Sequence, residues 1–289
     1  MLKDFWISVR PKHWVKNTLV FAALVFAHEL NFALPLLKAS AAFVIFCALA
    51  SASYLLNDVL DFMGDQAHPM KRTRPIAAGQ IGGRRAVLVA TVLTLAGLAA
   101  AFLLGRRFGW CAAAFVAVHI LYSIVLQNVV IVDVFTLAAG YILRVVAGAV
   151  VIHVPVSPWL MICTLLLSLF LGLSSRSLDY KLLGKDAVRH RPILAQYNPY
   201  LLDQMIAAIT SAILITYTLY TISPDTVQRF GTNKLVLTVP FVLYGILRYL
   251  YLIHQGEAAL SLERALISDK PMRVNMIVYA ILTVAIIYF

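Results

Sequence analysis

Charge is what this chain has least of. Lys, Arg, Asp and Glu together make up 13% of its 289 residues, about half the ~25% of an ordinary soluble domain. A fully solvated surface cannot be built from so few charges at this length. Acids are the scarcer sign, with 13 Asp and Glu against 24 Lys and Arg. Cysteine is nearly absent: Cys47, Cys111 and Cys163 form no CxxC pair and have no His at ligand spacing. That excludes a disulfide scaffold and a zinc site, and leaves the thiols as small buried hydrophobes. No low-complexity linker, heptad repeat or separate soluble segment interrupts the sequence, so residues 1–289 are expected to form one transmembrane domain. Residues 1–16 carry charges and aromatics throughout, without the apolar core and cleavage site of a signal peptide.

Apolar sequence is abundant instead. Hydrophobic residues reach 62%, the mean hydropathy is +0.86, and the apolar residues fall in long runs. Nine spans can be drawn, at 15–33, 34–57, 84–104, 110–127, 129–150, 157–174, 201–222, 234–253 and 271–289. Most of them reach the ~20 helical residues that cross a bilayer core of about 30 Å. The first is broken by His28, Glu29 and Asn31. Runs this long must satisfy their backbone internally, and none alternates as a barrel strand would. The expected fold is an all-α, polytopic transmembrane bundle of about nine helices.

A net charge of +11 would suit nucleic acid, but its distribution points elsewhere. With a cytoplasmic N-terminus, the inner segments hold clusters such as Arg10, Lys12 and Lys16, then Lys71, Arg72 and Arg74, then Lys181, Lys185, Arg189 and Arg191. The outer segments hold only Lys38, Arg106, Arg107, Arg229 and Lys234. This is the positive-inside bias of a multi-pass inner-membrane protein. A membrane is the expected environment, and no nucleic-acid partner is.

Two polar segments break the apolar pattern, near 58–83 and 175–200. The first opens Asn57-Asp58-Val59-Leu60-Asp61-Phe62-Met63-Gly64-Asp65. On a helix Asn57, Asp61, Asp65 and Asp58 fall at about 0°, 40°, 80° and 100°, so three carboxylates and an amide share one face. A solvated face usually interleaves signs; an oxygen-only face is what Mg²⁺ uses, with substrate phosphates completing its shell. Lys71, Arg72 and Arg74 follow between Pro69 and Pro75, and bases beside metal-holding acids make a cradle for a diphosphate. The second segment carries Arg176, Asp179, Lys181, Lys185 and Asp186. It lies on the same side of the membrane, because four spans separate the two. Arg176 and Asp179 stand nearest the membrane and are expected at a site; the rest also suit an ordinary amphipathic helix. Asp133 and Arg144 sit inside the fifth span, where a charge costs about 2.5–3.5 kcal/mol or more. They share a face but lie about 16 Å apart along the axis, so each needs another partner, either a neighbouring helix or a substrate.

The string from Asn57 to Pro75 resembles the NDxxDxxxD motif and following HPxKxxRPIA of the UbiA superfamily of intramembrane prenyltransferases. Within it, the closer likeness is to the branch that makes decaprenyl-phosphate phosphoribose. The run Arg10-Pro11-Lys12-His13-Trp14-Val15-Lys16-Asn17, the stretch from Asp133 through Arg144 to Gly148, and the run from Tyr197 to Met205 are similar to the same branch. The resemblance covers nearly the whole chain. It implies that 5-phosphoribose moves from phosphoribosyl pyrophosphate to a polyprenyl phosphate, releasing pyrophosphate. It further implies Asp58, Asp61 and Asp65 as the catalytic acids, with Mg²⁺ held by Asn57, Asp61 and Asp65. The implied substrate-binding set is Arg10, Lys12, Lys16, Asn17, Lys71, Arg74, Tyr122, Arg144, Arg176, Asp179 and Lys185, facing the cytoplasm.

Two departures from the family pattern remove positive charge. A Lys/Arg-rich string with an acid usually follows the sixth span, and here it reads Ser175-Arg176-Ser177-Leu178-Asp179; Gln127 stands where a Lys is common. Two other readings stay open. One is transfer of a prenyl chain from prenyl diphosphate to an aromatic acceptor, which usually comes with a fuller second acidic motif. The other is a non-enzymatic lipid carrier or transporter, which would more often place charges and helix breaks at the bilayer midplane.

Overall fold

The apolar runs fold as helices, because a chain in lipid must close its own backbone hydrogen bonds. The computed structural model describes residues 2–67, 71–184, 192–255 and 268–289. Its helices are α1 (Leu2–Ser8), a 3-10 segment (Pro11–Phe21), α2 (Ala22–Phe26), α3 (Ala33–Leu60), α4 (Phe62–Ala67), α5 (Gly83–Leu104), α6 (Arg106–Ile124) and α7 (Val132–Val151), then α8 (Pro158–Leu183), α9 (Pro199–Ile222), α10 (Pro224–Phe230), α11 (Val239–His254) and α12 (Lys270–Tyr288). No strand occurs among the described residues. Among the described residues, eight helices are long and apolar enough to cross a membrane, and they account for eight of the nine runs.

The remaining run, 15–33, takes a different form. Residues Pro11–Phe21 make a 3-10 helix that runs antiparallel to α3. Arg10 meets Asp58, Trp14 Nε1 donates to Ser51 Oγ at 3.0 Å, Asn17 Nδ2 lies 3.3 Å from Cys47 Sγ, and the Phe21 and Phe43 rings are 5.5 Å apart. The eleven residue steps from Arg10 to Phe21 thus lie beside the fifteen from Asp58 back to Phe43. At about 2.0 Å per residue for a 3-10 helix and 1.5 Å for an α-helix, both stretches are about 22 Å long. The first run is therefore a stretched 3-10 partner of α3 as far as Phe21, continued by the short α2, and not one unbroken α-helix. Its packing depends on Gly148 of α7, where a Cβ would come within 2.0 Å of the Val20 carbonyl oxygen.

The contacts divide the chain into two compact units, residues 1–156 with 188–195, and residues 157–187 with 196–289. In the first, Phe46, Phe108, Phe115, Val20, Leu24 and Leu49 form a core, with Phe46 and Phe115 ring centroids 5.0 Å apart. In the second, Phe170 packs on Tyr249, and four helices start with the same device. Ser157, Asn198, Ser223 and Asp269 each accept a backbone N–H from three residues on, just ahead of a proline. An oxygen-bearing N-cap satisfies a helix-end donor, and proline gives up none that the helix needs there. The membrane helices α3, α5, α6 and α7 of the first unit begin without a side-chain cap.

Candidate active site

Helix α3 stops at Leu60, Asp61 forms its C-cap, and α4 resumes at Phe62. The bonds Asp61 N to Asn57 O (2.8 Å) and Asp65 N to Asp61 O (2.9 Å) carry the helical register across the junction. The acids therefore keep the common face that their spacing requires. Asp58 and Asp65 are only 2% and 3% exposed, and both converge on Arg74. Its Nη1 donates to Asp58 Oδ1 at 3.0 Å and to Asp65 Oδ2. Arg10 Nη2 also donates to Asp58 Oδ1, and Lys71 Nζ lies 4.0 Å from Asp65 Oδ1.

The sequence explains why these bases arrive there. After Arg74, the Pro75-Ile76-Ala77 turn is buried, and Ile76 and Ile81 join a cluster with Ala52, Leu55, Ala86 and Ala90. That anchor brings the Arg74 backbone to the end of α3. Arg10 has φ 52° and ψ 62°, in the left-handed region, which few residues with a Cβ adopt. It turns the chain into the 3-10 segment and lays its guanidinium 5.1 Å from the Tyr54 ring centre.

Asp61 differs from its neighbours in having no arginine on it among the described residues. It accepts from Asn57 Nδ2 at 2.7 Å, and the Gln127 side chain lies near enough to favour its charged form. Burial, and then the charge of Asp65, push its carboxyl above the usual carboxylate range, against the pull of Asn57, Gln127 and Lys71. Asn57 Oδ1 in turn accepts from Ser123 Oγ at 2.9 Å, and Gln127 Nε2 donates to Ser123 O at 2.8 Å. Ser123 also borders a cavity of about 180 Å³ with walls from α3, α5 and α6, including Leu56, Ala90, Val116 and His119.

About 16 Å along α3 from Asp58, at the level of Cys47, lies a second charged group. Arg144 is 3% exposed. Its Nε donates to Asn17 Oδ1 at 2.7 Å and its Nη1 to Gly140 O at 2.8 Å. The Phe115 ring lies 4.6 Å from the guanidinium carbon and the Tyr141 ring 5.5 Å. Asp133, on the same helix, is fully buried.

A model of the UbiA prenyltransferase family matches residues 18–286. The chain belongs to that family. It is a multi-pass membrane transferase. Among its curated relatives are decaprenyl-phosphate phosphoribosyltransferases from Mycolicibacterium smegmatis (31% identical, covering 98% of this chain and 92% of that protein) and Corynebacterium glutamicum (30%, covering 97% and 86%). Its fold is similar to the solved structure of a UbiA homolog from Archaeoglobus fulgidus bound to GPP and Mg2+, with a TM-score of 0.75 at 16% identity, covering 99% of this chain and 100% of that one. At that identity the likeness concerns the fold.

Within the UbiA-family frame, the expected site residues sort into three groups. Arg10, Asn57, Asp58, Asp61, Asp65, Lys71 and Arg74 come together at the end of α3. Asn17 and Arg144 pair with each other deeper in the same unit, Lys16 and Tyr122 are half-buried, and Lys12 is exposed. Arg176 (2% exposed) and half-buried Asp179 lie on α8 in the other unit. Lys185, with Asp186, falls outside the described residues.

Among the described residues, no three His, Cys, Asp or Glu side chains are grouped around a common point that would hold a metal. The donor chemistry at Asn57, Asp61 and Asp65 still fits Mg²⁺. All three supply oxygen, and Asp61 is the half-buried carboxylate of the cluster with no arginine on it. Sequence reading missed Ser123, Tyr54 and His119. Each is a single polar or aromatic residue inside an apolar run, with nothing in its spacing to mark it.

Proposed function

We propose that this protein transfers 5-phosphoribose from phosphoribosyl pyrophosphate to a polyprenyl phosphate and releases pyrophosphate. The observation that carries the reading is the convergence of Arg10, Lys71 and Arg74 on the acids at the end of α3. This is a ready set of diphosphate ligands, and the curated relatives named for this reaction match along almost the whole chain. Mg²⁺, held by Asn57, Asp61 and Asp65, would neutralise charge on the leaving diphosphate. Arg74 and Lys71 would exchange their carboxylate partners for donor phosphates, with Arg10 remaining on Asp58 or joining them. Asn57 holds the Asp61 carboxylate in place. A lipid phosphate is already ionised at neutral pH, so no strong general base is required, and positioning with charge neutralisation supplies the catalysis. The clustering of Lys and Arg in the segments on the side of the acid motif supports a site that faces the cytoplasm.

The test is pyrophosphate release from phosphoribosyl pyrophosphate by purified protein with polyprenyl phosphate and Mg²⁺. Release is expected to need the lipid and the metal and to fall ~10²–10³-fold in Asp61→Ala. Mg²⁺-dependent turnover of a prenyl diphosphate with an aromatic acceptor, with phosphoribosyl pyrophosphate untouched, would overturn the reading.

A further inference from the structure

We infer that Arg144, with Asn17 beside it and His119 across Gly140, forms a second anion subsite that takes the phosphate headgroup of the lipid acceptor. The identity of the lipid rests on the phosphoribosyl-transfer reading; the existence of the subsite does not.

The first support is charge without a counterion. Arg144 is buried in the middle of α7, and no carboxylate pairs with it among the described residues. A guanidinium has five N–H donors. Here Nε goes to Asn17 and one donor of Nη1 to Gly140 O, and aromatic rings lie against the group. Its remaining donors have no acidic partner. A buried cation in this state carries a charge that an incoming anion would balance.

The surroundings are also positive. Lys16, the residue before Asn17, acts electrostatically on His119, as Arg144 does. A Cβ at position 140 would come within 2.9 Å of His119 Cε1 and 3.5 Å of Arg144 Nη1, so the two side chains meet over a glycine that leaves them room. Tyr54 is within electrostatic reach of Arg144 and also of Arg10 at the acid cluster.

The subsite's position selects the kind of phosphate. The walls nearest Arg144 are the apolar core around Phe46, Phe115 and Leu143, which offers little to the hydroxyls of a sugar. His119 also borders the cavity between α3, α5 and α6, walled by Leu56, Ala90 and Val116. An anion site next to an apolar cavity suits a phosphate that carries a hydrocarbon chain. The two sites are at different depths along α3, so a donor entering from the polar end and a lipid headgroup drawn from the apolar side would meet between them.

The decisive variant is Asn17→Asp, which keeps the shape and the bond to Nε but places a carboxylate on Arg144. Thermal unfolding of the full-length protein in detergent would be titrated with farnesyl phosphate, with ribose 5-phosphate, and with Mg²⁺ plus inorganic diphosphate. Farnesyl phosphate is expected to stabilise the wild type and to bind Asn17→Asp at least tenfold more weakly. The diphosphate response should stay within twofold, and the unliganded variant should melt no lower than the wild type. Arg144→Gln should weaken farnesyl phosphate similarly, and Arg144→Lys should restore part of the response. If ribose 5-phosphate shows this dependence instead, the lipid assignment is wrong. If all ligands stabilise Asn17→Asp as they do the wild type, the pair only clips the 3-10 segment to α7 and the subsite does not exist. Neither readout needs turnover, so a protein that binds farnesyl phosphate through Arg144 yet ignores phosphoribosyl pyrophosphate would overturn the proposed donor and keep the subsite.

Discussion

Arg74 and Arg144 are both arginines of the first unit with restricted access to water, and they stand in opposite electrostatic states. Arg74 touches two carboxylates, and Asp58 is shared with Arg10. Arg144 touches an amide, a carbonyl and two rings, and no carboxylate among the described residues. At the end of α3 an incoming anion must displace an acid from a base, and the released acid must find a cation. At Arg144 an incoming anion displaces nothing. The first arrangement suits a ligand that arrives with its own metal, because the diphosphate takes the arginine and the metal takes the acid. The second suits an anion that arrives alone.

The largest effect should come from removing the acid that two arginines share. Asp58→Asn leaves Arg10 without its carboxylate and Arg74 with Asp65 alone. Breaking a buried pair costs about 3–5 kcal/mol, but both arginines are partly open to solvent, so about 2–3 kcal/mol is expected. Thermal unfolding should show it, together with a ~10²-fold loss of pyrophosphate release. An unchanged melting temperature would mean that these ion pairs do not hold the loop in place.

A smaller effect, of mixed sign, should separate metal from diphosphate. Arg74→Gln removes the cation competing for Asp58 and Asp65. Mg²⁺ alone should then bind more tightly than in the wild type, while inorganic diphosphate binds ~10-fold more weakly, in line with one lost charge-assisted bond. In the wild type each ligand should strengthen the other's binding, as linkage requires. Calorimetric titration of each ligand, alone and with the other present, measures both terms. Independent binding of the two would break the contrast with Arg144.

Gly148→Ala tests what the two sites have in common. Arg10 and Asn17 ride on one 3-10 segment, and a Cβ at 148 would push on the Val20 backbone, which cannot swing aside as a side chain can. A loss of about 1–3 kcal/mol is expected, the range for overpacking, along with weaker binding of both diphosphate and farnesyl phosphate. A variant that weakens only one of them would show that the segment does not move as a unit.

The sequence made some of this arrangement legible and hid the rest. The eight α-helical spans followed from run length, and the acid face from the spacing of Asn57, Asp58, Asp61 and Asp65. The 3-10 form of the first run could not be read, since apolar content says where a chain lies in a membrane but not whether it rises 1.5 or 2.0 Å per residue. The order of phosphate and carboxylate partners was also hidden. Spacing put bases beside acids, but only the turn anchored by Ile76 and Ile81 places Arg74 on Asp58 and Asp65 together. Arg144 was conspicuous as a charge inside a span, yet its link to Asn17, 127 residues away, has no local signature. Arg248, a charge inside the eighth run, is paired with Asp269, 2.8 Å from Nη2 to Oδ1, and that link has no local signature either.

That pair gives the smallest predicted effect and a control for the other arginines. Asp269 accepts from Arg248 and caps α12 by accepting from Met272 N at 2.8 Å. The Arg248 guanidinium, helped by the Met272 N–H, holds its carboxyl below the usual carboxylate range. A carboxyl depressed on folding stabilises the protein above its unfolded pKa of ~3.9, and that contribution is lost as pH falls through the lower folded value. Asp269→Ala should therefore melt ~2–4 °C below the wild type, the size expected when one cap is lost from a chain of this length. The gap should be constant between pH 8 and 5 and should close only below about pH 4. Pyrophosphate release and farnesyl phosphate binding should be unchanged. A gap that closes near pH 6 instead would mean that a histidine, and not the Asp269 carboxylate, sets the stability of this helix end.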